Sequence, residues 1–417
     1  MNALSKDTSL FAEIDGRYGV YSLKELYELH NQGCKIRVLT LLNERGEKGW
    51  GEVENVVSYG TQNLKRLTLV TTHLYTEVSE DAIIPAYSSE LFSGREKEIN
   101  LKLKRVNELK VTQDPRRNNS LLLTTRFFLN LQKGDQKEWD IGFALGFFLA
   151  EGWLEKRKHK NTKRTMEILN RLARKKGMTL ENYLNYMTDI KQVQLAIGQS
   201  DFERGHVDIL KKNFKFGIFC KVKGENGYLL HSSDLNYIHL IKNYSEGHDS
   251  HTKHLKNDAF NRSQKFLDGI LNGFLAGDGS FEEKWDRFQV NITTNYKLRD
   301  NLIFLSKALG YDIHINNNSF IKSPSSNNYY YLLRLNIFKN FHRHTALGLV
   351  REHIKKIEDV GEQEAYNLVL KPLYPENDKR SVFNHLFFTA YGFLVSDAVK
   401  TLDRSVLSSS LPVPLSS

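Results

Sequence analysis

The chain has 417 residues, a formal net charge of +10 and a sequence pI of about 9.2. That length allows two or three domains with sizeable cores, and the excess of positive charge points to a polyanionic partner, with bare solubility as the alternative. Only two cysteines, Cys34 and Cys220, and no apolar run of transmembrane length exclude a disulfide framework, a Cys-rich zinc site and a membrane-spanning helix.

The N-terminal residues MNALSKDTSLF lack the pattern of a secretory signal, so an intracellular, soluble protein that needs no membrane is expected. Residues 1 to about 90 carry short alternating or β-branched runs at Tyr18–Ser22, Lys35–Leu42, Gly51–Val57 and Lys65–Thr72, with turn signals at Asp15-Gly16 and Gly46 between them. This predicts a small all-β unit, interrupted by one helix near Leu23–Asn31. Residues 91–125 read as a linker or accessory segment, with Ser93–Leu109 charged and partly helical and Asp114–Asn119 a loop with a basic edge. The apolar run Thr124–Leu131 is expected to open the next domain.

That next domain, about 126–360, is built around a repeat. Phe143–Glu155 reads FALGFFLAEGWLE and Ile270–Glu282 reads ILNGFLAGDGSFE; laid in register without a gap, Gly146 meets Gly273, Glu151 meets Asp278 and Gly152 meets Gly279. A repeated segment signals a duplicated unit. Each copy is an apolar helix with small residues four apart, Gly146 and Ala150 in one, Gly273 and Gly277 in the other. Residues at i and i+4 share a helix face, so this stripe lets two backbones approach closely. Each helix ends at a Gly, as a C-terminal signal should, and directly before it stands an acid. A carboxylate is disfavoured at the negative end of the helix macrodipole. Two of them at ~5 Å and an effective dielectric of ~20 repel by roughly 3 kcal/mol. A fold that imposes this twice is expected to hold a cation, and all-oxygen ligation suits Mg²⁺ (or Mn²⁺), which keeps several waters and takes one or two carboxylates plus phosphate. Glu151, Asp278, Gly152 and Gly279 are the metal-site candidates.

The two halves, about 126–245 and 255–360, repeat one order of elements: signature helix, strands, helix, strands. Phe288–Thr294 alternates strictly, and Gln192–Ser200 is its counterpart in the first half. Such a half-buried sheet offers one polar face, and a β-ribbon with Gln, Asn, Arg and Thr side chains can read base edges in a major groove. Gln192, Gln194, Gln199, Arg287, Gln289, Asn291 and Thr293 are the candidates. The first half also carries about thirty extra residues, in which Lys156–Lys176 holds ten Lys or Arg against the single acid Glu167. Lys158, Lys160 and Arg164 are phosphate-contact candidates, with a charged solvent-facing helix as the bland alternative. Residues 398–417 read as a flanking tail of low complexity at its end.

LGFFLAEG and LNGFLAGDG resemble the paired signature helices of the LAGLIDADG homing endonucleases. The resemblance implies a pseudo-symmetric αββαββα domain, monomeric, that cuts double-stranded DNA at a long asymmetric site with divalent metal held by Glu151 and Asp278. It also implies a lysine near each metal site, for which Lys223 and Lys322 are candidates, with Lys221 close behind. The first copy departs by using Glu for Asp. A second resemblance, over about 3–90 and 361–397, is to the Hint fold of inteins. It rests on Ala3–Leu10, Asp15-Gly16, Leu67–His73, Ala365–Leu370, Asn384–Phe388 and Tyr391–Asp397. The implied whole is an α+β multidomain chain, an all-β splicing domain interrupted by the endonuclease. At nearly every reacting atom the splicing pattern fails. Ala3 stands where a thiol or hydroxyl is needed, Asp397 where a terminal Asn cyclises, Ala398 where a nucleophile follows, and Val70 where a Thr precedes the His. His73 and His385 remain as proton-transfer candidates, and the chain is expected not to splice. The rival readings are a cleavage-deficient, maturase-like DNA or RNA binder and an element whose main activity is splicing.

Overall fold

The computed structural model describes residues 2–397 except 44, 88–101, 115–117, 125–126, 128, 130, 157–162, 176, 178, 181–190, 218–219, 222–226, 249, 294, 323–328, 339–348 and 392. The chain is a mixed α+β structure that divides into two compact units. One comprises Met1–Asn130, Phe281–Ile292 and Arg299–Ser417, the other Leu131–Ser280 and Thr293–Leu298. The second half foreseen at 255–360 is therefore shared between them.

In chain order the first unit begins with β1 (Leu4–Ser5), β2 (Ser9–Ile14), β3 (Arg17–Ser22), α1 (Leu23–Asn31), β4 (Ile36–Leu41), β5 (Lys48–Leu69), β6 (Tyr75–Ser79), β7 (Ile83–Tyr87), β8 (Lys102–Arg105) and β9 (Ser120–Thr124). The helix falls where the sequence places it because Ser22 and Glu25 form a reciprocal capping box and Leu23 and Leu26 bury one face. The strands expected at Gly51–Val57 and Lys65–Thr72 merge into the single 22-residue β5, which ends at Leu69 and leaves Val70–Thr72 in the following turn, since nothing between them supplies a chain reversal. Of Ser93–Leu109, read as partly helical, residues 93–101 lie outside the described residues, 102–105 form strand β8, paired with β7 from Ile83↔Arg105 to Ala86↔Lys102, and Val106–Glu108 form one short 3-10 turn. Of the run Thr124–Leu131, Thr124 ends β9, residues 125, 126, 128 and 130 lie outside the described residues, and the second unit begins at Leu131.

The second unit holds α2 (Gln136–Glu151), β10 (Gly152–Lys156), α3 (Lys163–Lys175), β11 (Lys191–Gly198), α4 (Gln199–Glu203), α5 (His206–Asn213), β12 (Cys220–Lys221), β13 (Gly227–Ser232), α6 (Leu235–Tyr244), β14 (Ser245–Glu246), β15 (His254–Leu255) and α7 (Gln264–Asp278). The helix foreseen at 201–212 is broken in two by Gly205, which sits at φ +75°. Strands β10, β11, β13 and β12 form one four-stranded sheet. The chain then continues through β16 (Gly279–Glu282), β17 (Arg287–Thr293), α8 (Tyr296–Ala308), β18 (Asp312–Lys322), β19 (Tyr329–Phe338), β20 (Leu349–Leu370), β21 (Leu386–Phe388) and β22 (Leu394–Ser396). Strands β16, β17, β19 and β18 make a second four-stranded sheet of the same order, so the repeat in sequence is a repeat in topology. β20 pairs antiparallel with β5 from Ile354↔Leu69 to Leu370↔Val53, and β1 lies between β6 and β20. The two ends of the chain thus build one β fold. Among the described residues no helix is long and apolar enough to cross a membrane.

Candidate active site

The two signature helices pack against each other inside the second unit. Their starts are fixed by side-chain caps: Asp135 accepts from the Glu138 amide and Ser263 from the Phe266 amide. Along the contact, glycine is required by space. A Cβ on Gly146 would stand 1.9 Å from the Ile270 carbonyl oxygen, and one on Gly273 would stand 2.0 Å from that of Phe143. The terminal glycines act differently from expectation. Gly152 and Gly279 are extended, at φ −104° and −92°, not left-handed. They are needed because a side chain would strike Phe148 at 2.3 Å in one and the Leu275 carbonyl at 2.4 Å in the other.

This close crossing brings Glu151 and Asp278 together. A Cβ on Gly277 would lie 2.9 Å from Glu151 Cγ and 3.7 Å from its Oε1, so the Glu151 side chain rests against the residue preceding Asp278. The Glu151 carboxyl is pushed up to about 7, first by burial and then by repulsion from Asp278 and Asp201. Asp278 is pushed up to about 6 by loss of surrounding water. Its own side chain is nevertheless exposed, so the pair lies at a mouth open to solvent and not in a sealed core.

A third member was not foreseen. Lys253 is 2% exposed, and its Nζ donates to the carbonyls of Phe148, Ala150 and Gly152 at 3.1, 3.4 and 2.6 Å. It is a cation on the negative end of α2, where the macrodipole favours one, and it lowers the pKa of both acids. Its loop is held from Asn295, whose Nδ2 donates to the Lys253 and Ser250 carbonyls at 2.6 and 3.2 Å. In the sequence Lys253 sits in a His-rich turn, GHDSHTKH, which has no periodicity and reads as solvated. The signal missed is that a lysine just ahead of the second signature helix reaches back to the end of the first. Lys253→Met is expected to cut any metal-dependent phosphodiester cleavage at these two acids roughly 10²-fold. It is also expected to move cation binding by the two acids to higher pH, since their only described cationic neighbour is gone. Calorimetric titration with Mn²⁺ across pH 5.5–8 checks this.

Asp201 completes the surroundings. Its Oδ2 accepts from the Gly198 amide at 2.8 Å and its Oδ1 pairs with His206 Nδ1 at 2.9 Å. Among the described residues no cluster of three or more His, Cys, Asp and Glu could hold a metal. Two carboxylates with raised pKa fit a divalent cation that brings its own water. Gly152 offers its carbonyl, at present to Lys253.

The other candidates are placed as follows. Gln192 is half-buried and paired across the ladder with Glu155. Gln194 is buried, between Trp153 and His231 in register, and so is not on an open polar face as expected. Gln199 is exposed but begins α4. On β17, Gln289 is half-buried and Asn291 exposed, while Arg287 is ion-paired to Glu282 at 2.7 Å. Thr293 ends that strand. Arg164 and Lys322 belong to α3 and β18, and Lys221 to β12; their side chains, like that of Thr293, fall outside the described residues, as do Lys158, Lys160 and Lys223 entirely. Within α3, Arg171, Arg174 and Lys175 are exposed.

In the first unit the splicing candidates cluster without a nucleophile. Ala3 is fully buried; its amide donates to Ser79 Oγ at 3.1 Å. Asn2 Nδ2 donates to the Asp397 carbonyl at 2.9 Å, and Asp397 Oδ2 accepts from the Leu370 amide and pairs with His385 Nδ1 at 3.1 Å. His73 is bonded elsewhere, to Ile315 and Lys355.

No family model and no curated protein matches the chain. Among solved structures it is similar to the homing endonuclease I-DmoI in complex with DNA and Ca, at 15% identity over 49% of this chain and 85% of that one, TM-score 0.28. It is also similar to an intein from a hyperthermophile, at 24% identity over 30% and 73%, TM-score 0.24, and to the Pab PolII intein, at 22% over 32% and 71%, TM-score 0.23.

Proposed function

We propose that this chain is a site-specific double-stranded DNA endonuclease of the LAGLIDADG homing type, carried within a Hint-like β fold that does not splice. The observation that carries the reading is the pair Glu151 and Asp278, held side by side at the ends of two crossed helices with the Lys253 ammonium beside them. Two acids made reluctant to ionise are held where they cost stability, which is the expected mark of a working site. A divalent ion bound by them would polarise a phosphodiester and activate water for in-line attack. The chain's own residues do the rest. Glu151 and Asp278 supply the negative charge, and Lys253 favours their ionised forms and offsets charge gathering on the phosphate. The two like-ordered sheets present Gln192, Gln289 and Asn291 to base edges, and the exposed arginines and lysine of α3 meet the backbone. Two half-sheets of different sequence imply one long asymmetric site.

The splicing alternative is disfavoured by Ala3, whose methyl group cannot attack a peptide bond. The test uses a plasmid library of genomic fragments. In Mg²⁺ the protein is expected to linearise one recurring subset and in EDTA none. Failure to linearise any member, with Mg²⁺ or Mn²⁺, would overturn the reading.

A further inference from the structure

The β fold built from the chain ends lacks a nucleophile, yet its most distinctive histidine is engaged on both ring nitrogens. His73 ends the turn between β5 and β6 at φ +52°, a left-handed conformation that Gly adopts freely, Asn and Asp at times, and other residues only at some cost. The turn is braced by Glu352, 4% exposed, which accepts from the Thr71 and Thr72 amides and from Thr72 Oγ1 at 2.7 Å. The turn's free edge bonds strand β18 in both directions. The Ile315 amide donates to the Thr72 carbonyl at 2.7 Å, and His73 Nδ1 lies 3.1 Å from the Ile315 carbonyl. A carbonyl only accepts, so Nδ1 carries the proton, and Nε2 accepts from the Lys355 ammonium at 3.3 Å. Burial and Lys355 both hold the imidazole pKa down, which keeps this neutral tautomer.

A second, separate contact fixes the helix that follows β17. Phe304 of α8 stacks on Phe11 of β2 with ring centroids 4.0 Å apart. Next to it, buried Asp300 accepts from Ser9 Oγ at 2.6 Å and from the Tyr391 hydroxyl at 2.7 Å, while Arg299 donates to Asp300 and to the Tyr75 hydroxyl. Every one of these residues lies in the first compact unit.

We infer that the β fold of the chain ends serves as the mount of the second DNA-reading sheet, with His73 as a positioning residue that pins strand β18. This rests on the nuclease reading for its consequence, but not for its geometry. It gives a non-splicing β fold a reason to be retained: without it, β18 and α8 lose their fixed neighbours.

The test compares His73→Gly, His73→Ala and His73→Asn in the full chain. Gly relieves the backbone strain but has no ring; Asn tolerates φ +52° and offers an N–H near the place of Nδ1–H. Amide exchange at Ile315 is expected to rise roughly tenfold in the Gly and Ala variants and to return toward the parent rate in the Asn variant. Binding is read with a randomised duplex pool selected by the parent protein. The Gly variant is expected to lose sequence preference at one end of the selected site and keep it at the other. Unchanged Ile315 protection in the Gly variant overturns the mount. Raised exchange with an unaltered selected sequence overturns the positioning role. A parent protein that selects no sequence sinks the nuclease reading and the positioning role with it, while exchange still decides the mount. If the Gly variant fails to fold, Lys355→Met, which removes the donor to Nε2 and leaves the turn untouched, is read by the same two measurements.

Discussion

Asp278→Asn is expected to give a chain that folds, binds DNA and leaves it uncut, and Glu151→Gln the same. The loss of linearisation should be on the order of 10³-fold or more, at or beyond the upper end of what one preorganised transition-state contact is worth. Stability should move the other way. Both acids have folded-state pKa values raised above the ordinary carboxylate range, to about 7 and about 6. The fold therefore prefers their neutral forms. Their favourable contribution is fully present below about pH 4 and is lost as pH rises through 6 and 7. The parent protein without metal should melt lower at pH 8 than at pH 5, and Mg²⁺ should recover part of the difference. Asp278→Asn removes one repelled charge, so its melting temperature should depend less on pH and respond less to Mg²⁺. Scanning calorimetry with and without EDTA, set beside plasmid linearisation, checks both halves of this expectation. Full cutting by either variant would remove the acids from the mechanism.

Gly273→Ala is the second large effect, and it acts through packing. The added methyl would sit 2.0 Å from the Phe143 carbonyl oxygen and 2.9 Å from its Cα. These are backbone atoms of the partner helix, so no rotamer change relieves the clash, and the helices must separate. The reciprocal position, Gly146 against Ile270, has the same geometry. Overpacking of this kind costs about 3 kcal/mol or more, the upper end for a single inserted group. Urea denaturation should show the drop. The control is Gly60→Ala. It replaces a glycine at φ +64° with open space around it, so only the backbone strain of roughly 1 kcal/mol remains. Equal losses for the two would mean that helix approach is not what position 273 demands.

Much of the site was legible because its demands are local. Gly146, Gly273, Glu151 and Asp278 lie in one repeated thirteen-residue pattern, and the need for small residues and paired acids is written at fixed spacing. The α1 helix was legible for the same reason, through Ser22 and Glu25. Lys253 was not, because its importance comes from a reach of about a hundred residues back to the end of α2. The burial of Gln194 was not legible either, because a side chain's place along β11 does not say what covers its face. The merging of two expected strands into β5, and the use of 102–105 as an edge strand, depended on partners far along the chain. The bonds His73 makes in the fold run to Ile315 of β18 and Lys355 of β20, which no local motif announces.

The long ladder between β5 and β20 has a bearing on how the molecule comes into being. It joins Val53 to Leu370 and Leu69 to Ile354, and such distant pairings are slow to close because the intervening loop must first give up its freedom. During synthesis the early strands wait for partners still inside the ribosome, while Leu131–Ser280, whose contacts are largely its own, has all its residues available much sooner. Birth order therefore favours the paired signature helices over the β fold that encloses them in sequence. A chain halted before residue 349 would carry paired acids but leave β1 and β5 with unsatisfied edges, the kind of species that chaperones capture.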